Sequence, residues 1–154
     1  MTPFEASRCL LFLLLGWKDE YFRLLGLALE QEDPLSRITL ELALCGSDTE
    51  AAISFLQHDP AVQAIREEVI LRWLKDMLYE KYCQGNLLPD DLFRTYLGLS
   101  TSYDIYDDLF WYRVEHLLEY RENGFLTEKE YQDGLQEMFE LDQRKKKEGE
   151  ALSF

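Results

Sequence analysis

Residues 59–85 read DPAVQAIREEVILRWLKDMLYEKYCQG, and this stretch decides the fold class. Asp59-Pro60 is a helix start, because proline tolerates a first turn where its missing N–H has no partner to lose, and Gly85 is a stop. The spacing predicts one long helix from Pro60 to about Cys83. Val62, Ile65, Val69, Trp73 and Met77 recur at helical intervals, and Ile70, Leu74 and Leu78 widen the stripe. Glu68, Arg72, Lys75 and Asp76 fall opposite. So broad an apolar face needs neighbours on two sides, which predicts a bundle of shorter helices around this one, with Ile65, Val69 and Trp73 buried at its centre.

Working outward, the punctuation agrees. All four prolines stand where a helix can begin, and five of the eight glycines where one can end. Thr2-Pro3-Phe4-Glu5 reads as a capping box opening a first helix that Gly16 stops. A second helix runs from about Trp17 to Glu30, with Tyr21, Leu24, Leu25 and Ala28 on one side. Asp33-Pro34 starts a third, ended by Gly46. Ser47 to Glu50 repeats the capping-box pattern and opens a short fourth helix through Ala52, Ile53 and Leu56. Beyond Gly85, Pro89 begins a short helix that Gly98 ends, and Leu99 to Asp104 is the least regular segment. A helix then spans Ile105 to Glu122, Gly124 stops it, and a third capping box, Thr127 to Glu130, opens the last, the two forming a helical hairpin. Arg144-Lys145-Lys146-Lys147 falls where that helix should finish and fray, its charge suiting the negative end of the dipole. Nothing alternates with period two over strand length. The expectation is one all-α domain, residues 1–154, of seven or eight helices.

Sixteen Lys and Arg against thirty Asp and Glu leave a net charge of −14, while 47% of residues are hydrophobic, so the charge lies on a folded body. A field of that sign repels nucleic acid and anionic membranes and speeds encounter with basic proteins. Cys9, Cys45 and Cys83 are odd in number and widely spaced, neither a disulfide framework nor a zinc site, which points to a reducing, cytoplasmic location. The apolar run from Cys9 to Leu15 is too short to span a bilayer and lacks the flanks of a signal peptide.

Chemistry-bearing patterns are few. His58 and His116 lack metal-ligand company, and there is no phosphate loop, no HExxH and no nucleophile elbow. The cysteines sit in apolar helical patterns, where thiols are buried and inert. These absences argue against an enzyme, a cofactor or a metal. A pocket between helices using His116 with Glu119 or Tyr112 is the alternative, and a helical adaptor another.

The stretch that stands out is Tyr103-Asp104-Ile105-Tyr106-Asp107-Asp108-Leu109-Phe110-Trp111-Tyr112. On the predicted helix Tyr106, Phe110, Val114 and Leu117 form a core stripe. Asp108, Tyr112, Glu115, His116 and Glu119 share another face, with Asp107 and Trp111 beside it. Large aromatics among carboxylates mark binding surfaces: the rings supply rigid anchors and the acids select a basic partner. A neighbouring helix covering this face is the plainer alternative. The contact set expected on this reading is Tyr103, Asp104, Asp107, Asp108, Trp111, Tyr112 and Glu115. The rival surface is Trp17, Asp19 and Glu20 at the N-terminal end.

The acidic charge, small helical body and Tyr/Asp-rich segment resemble bacterial immunity proteins, which bind and neutralise a toxin domain, often a basic nuclease. Asp33-Pro34-Leu35 with Glu41-Leu42-Ala43-Leu44, Arg72-Trp73-Leu74 and Ile105-Tyr106-Asp107-Asp108 are also similar to a helical family associated with such toxin systems. The short Tyr-Pro recognition pattern of the small colicin-type immunity proteins is absent. The resemblance implies a non-catalytic inhibitor that occludes a basic toxin or nuclease domain.

Overall fold

A computed structural model describes residues 1–105 and 108–152, with side chains described through residue 150. Among the described residues every regular element is helical: α1 Pro3–Leu14, α2 Lys18–Gln31, α3 Arg37–Cys45, α4 Thr49–His58, α5 Pro60–Gln63, α6 Glu67–Cys83, α7 Pro89–Ser102, α8 Leu109–Glu122 and α9 Glu128–Leu152. None of them is long and apolar enough to cross a membrane. Contacts divide the chain into two compact units, Met1–Met77 and Leu78–Phe154, and the division falls within α6.

In the N-terminal unit, α1 packs against α2 and α4, and α3 against both α2 and α4. Ala6, Cys9, Phe12 and Leu13 of α1 meet Tyr21 and Leu25 of α2, Ile38 and Leu42 of α3, Ala52 and Leu56 of α4 and Val62 of α5. Burial raises the Cys9 thiol to about 12, so it stays protonated at neutral pH and serves as a small apolar side chain. Helix starts are held by side chains. Thr2 Oγ1 accepts from Glu5 N at 3.1 Å while Thr2 N donates to Glu5 Oε1 at 3.2 Å, closing the expected box. Buried Asp59 accepts from Ala61 N at 3.1 Å and Val62 N at 3.3 Å, and pairs with the Arg37 guanidinium at 2.7 Å.

Four expectations for this unit need correction. The stretch from Pro60 to Cys83 is two helices: Ala64 caps the single turn of α5, and α6 starts at Glu67. That break resets the rotational phase, so the buried stripe of α6 is Ile70, Leu71, Leu74 and Leu78, and Val69 is 40% exposed. Ile65 and Trp73 are only half-buried. Trp73 lies at the margin of the α1 core, edge-on to Phe12 at 5.5 Å, with the Arg8 guanidinium over its ring at 4.6 Å. Pro34 does not open α3; Ser36 does, its Oγ accepting from Thr39 N at 3.3 Å. Asp48, not Ser47, caps α4 by accepting from Ala51 N at 3.1 Å.

In the C-terminal unit, α8 packs against α7 and α9. Leu92, Thr95 and Leu99 of α7, Phe110, Trp111 and Val114 of α8, and Tyr131, Leu135, Met138 and Phe139 of α9 are buried. Phe139 gathers the aromatic groups, with Tyr82 stacked on it at 4.9 Å, Tyr79 at 5.7 Å and Phe110 at 5.8 Å. Gly98 does not end a helix. It sits inside α7, which continues to Ser102, so the segment expected to be irregular is mostly helical. Gly16, Gly46, Gly85 and Gly124 do occupy positive φ at turns, as stops should. The helix expected from Ile105 starts at Leu109 on the Asp108 cap, and Tyr106 and Asp107 lie outside the described residues. Thr127 and Glu130 form their box, with both bonds at 3.1 Å. The basic run does not end the last helix: α9 continues to Leu152, and at 25 residues it is longer than α6.

Candidate functional site

The face of α8 that carries Tyr112 is built by spacing alone. Tyr112, His116 and Tyr120 follow one another at four-residue intervals and so line up along one side of the helix, over about 12 Å. The rings touch in sequence: Tyr112 to His116 at 4.3 Å, His116 to Tyr120 at 5.6 Å, and Tyr120 to Phe125 in the following turn at 6.2 Å. Tyr112 is 53% exposed, Tyr120 45% and Phe125 72%. Three large rings in line and open to water are an expensive surface for a protein that meets nothing there.

The ladder borders an open groove of about 290 Å³ between α8 and α9. Tyr112, His116 and Tyr120 form one wall, Leu117, Leu126, Gly134 and Met138 the apolar floor, and Arg113 and Glu137 the polar rim. Gly134 makes room for Leu117: a Cβ there would stand 2.5 Å from Leu117 Cδ2. On the other side of the ladder the exposed carboxylates of Glu115 and Glu119 follow the helix at the same four-residue interval. Beneath the surface Tyr131 is buried with its phenol pushed up to about 12 by desolvation, and the Arg121 guanidinium lies 5.0 Å over its ring.

The seven contact residues expected from sequence separate on this frame. Tyr112 and Glu115 are exposed on the ladder face, and Asp104 is exposed in the segment before α8. Tyr103 and Asp108 are half-buried, and Asp108 is engaged as the cap of α8, accepting from Phe110 N at 2.9 Å. Asp107 lies outside the described residues. Trp111 must be withdrawn as an exposed anchor: it is 1% exposed, edge-on to Phe110 at 4.8 Å. With α8 starting at Leu109, residues 110, 111 and 114 make the buried face, while Leu117, expected in the core stripe, floors the groove. Sequence reasoning missed Tyr120, Phe125, Leu126, Glu137 and Met138. The i, i+4, i+8 recurrence of Tyr112, His116 and Tyr120 was a legible signal for the first; the contribution of α9 was not.

At the rival surface, Trp17 is half-buried 6.0 Å from Phe12, and Glu20 is paired with Arg23 at 3.0 Å, leaving Asp19 exposed. Among the described residues no three His, Cys, Asp or Glu side chains gather as a metal ion would require. His116 has aromatic neighbours on both sides along α8 and stands in the wall of an open groove. Comparison with protein-family models, curated proteins and solved structures returns no match. The chain is acidic, helical in every regular element among the described residues, and presents an aromatic, carboxylate-flanked helix face.

Proposed function

We propose that this protein is a non-catalytic binding module that occludes a basic protein partner through the α8–α9 face, acting in the cytoplasm as an immunity-type inhibitor of a toxin or nuclease domain. The observation that carries the reading is the exposed ladder of Tyr112, His116, Tyr120 and Phe125 beside Glu115 and Glu119. Rigid rings give a binding surface area at low entropic cost, and the carboxylates, within a net charge of −14, draw a cationic partner in and disfavour nucleic acid. The site is accordingly Tyr112, Glu115, His116, Glu119, Tyr120 and Phe125, with Tyr103 and Asp104, which precede α8 in the chain, as further proposed contacts.

The test is capture on the immobilised chain, with the Tyr112→Ala/Tyr120→Ala variant as parallel bait. The reading expects a basic protein recovered one-to-one with wild type, lost with the variant, and harmful to cells unless this chain is co-expressed. Equal recovery on both baits, or no stoichiometric basic partner, overturns it. One observation favours a second reading, a small-ligand site: His116 lines a groove whose floor is apolar. Under that reading a low-molecular-weight ligand would co-purify and be displaced by filling the groove.

A further inference from the structure

The groove between α8 and α9 says more about the partner than its charge. About 290 Å³ is at the lower limit of pockets that hold drug-sized ligands, roughly 300 Å³ and upward, so it has room for one large side chain and little else. Its floor of Leu117, Leu126 and Met138 side chains offers no acceptor stronger than the Met138 thioether, and at the rim Arg113 offsets the charge of Glu137. An apolar side chain gains more at that floor than a cationic one, which would give up its hydration there without a strong acceptor to replace it.

Positive charge is favoured on either side of the groove. Glu137 is exposed at one rim, and Glu115 and Glu119 are exposed beyond the ladder. Gly134 lets the Leu117 side chain of the floor pack close against α9. A helix-interior glycine costs about 1 kcal/mol relative to alanine. A Cβ here would meet Leu117 Cδ2 at 2.5 Å and drive that side chain from its place in the floor.

We infer that the groove receives a single bulky apolar side chain, aromatic or leucine-sized, from a segment of the basic partner whose neighbouring lysines or arginines meet Glu137 on one side and Glu115 and Glu119 on the other. This rests on the reading of a basic partner given above and deepens it: the rings of Tyr112, His116 and Tyr120 are the wall against which the anchor packs. Affinity then comes from the anchor, and encounter rate from the carboxylates.

The experiment follows the side-chain methyl signals of the full chain by NMR while end-capped pentapeptides are added: Lys-Lys-Trp-Lys-Lys, Lys-Lys-Ala-Lys-Lys and Glu-Glu-Trp-Glu-Glu. The expected result is that the first peptide shifts the methyls of Leu117, Leu126 and Met138 and binds about tenfold more tightly than the second. The acidic peptide is expected not to bind. Leu126→Trp, which fills the groove from within and leaves every charge in place, should reduce the first peptide to the affinity of the second; circular dichroism checks its fold, and if it does not fold the peptide comparison alone decides. Equal binding of the two lysine peptides with those methyls unmoved overturns the anchor groove while charge-driven docking stands. Binding of the acidic peptide as tightly as the first overturns the cationic flanks. No binding by either lysine peptide overturns the groove and the basic-partner reading together.

Discussion

Single residues decide two features that can be measured without a partner. Gly26 lies inside α2 with nothing within 4 Å of where a Cβ would stand. Gly26→Ala should therefore stabilise the protein by about 0.5–1 kcal/mol, through helix propensity and a less flexible unfolded chain, seen as a rise in the denaturation midpoint. Asp59 acts oppositely. Its buried carboxylate is held below the usual carboxylate range first by the hydrogen bond from Arg37, with the Val62 and Ala61 amides adding to it against the cost of desolvation. A depressed carboxylate contributes stability that is fully present above its unfolded value, about 3.9, and is lost as pH falls through the lower folded value. Asp59→Asn keeps the capping oxygen and loses the ion pair, so it should cost most at neutral pH, up to about 1 kcal/mol, and the gap to wild type should close on acidification. Urea titrations of both proteins at pH 7, 4 and 2.5 would show it; a gap that widened on acidification would contradict the assignment.

At the scale of the element, α8 is the informative case because adjacent aromatics have opposite fates. Trp111 is sealed beneath the helix and Tyr112 is open above it. Trp111→Ala should cost about 3–5 kcal/mol, the range for emptying a large aromatic site, whereas Tyr112→Ala should change stability by less than about 1 kcal/mol and act on binding instead. Thermal unfolding of the two single variants separates these outcomes, and similar losses in both would mean the register of α8 is wrong. The same reasoning lowers the expectation for Trp73. At the margin of its core, Trp73→Ala should cost less than Phe12→Ala, which empties a fully buried site.

For the whole molecule, the relevant quantity is the field. With −14 net charge and exposed carboxylates at Glu115, Glu119 and Glu137, association with a basic partner should slow as salt is added, because screening at 0.15 M shortens the reach of charge to about 8 Å. Replacing the three by glutamine should slow association and flatten that salt dependence with little change in dissociation; Tyr112→Ala/Tyr120→Ala should chiefly speed dissociation. Stopped-flow mixing across a salt series resolves both effects.

Helix identity was legible in the sequence because the determinants are local. Thr2 with Glu5, Thr127 with Glu130, and Pro3, Pro60 and Pro89 at first turns act within four residues, and each sits where its chemistry placed it. Burial was not legible to the same degree. The pattern from Pro60 to Cys83 satisfied one helix on paper, but a break near Ala64 turned Val69 outward and brought Ile70 in, and no local rule marks that break. Trp111 and Tyr112 are likewise neighbours whose difference depends on where α8 starts and on what packs against it. The aromatic, acidic character of the site was written in residues 103–120; its groove was not. That required Leu126, Gly134, Glu137 and Met138 to be brought beside His116, and only the packing of α9 on α8 can do so.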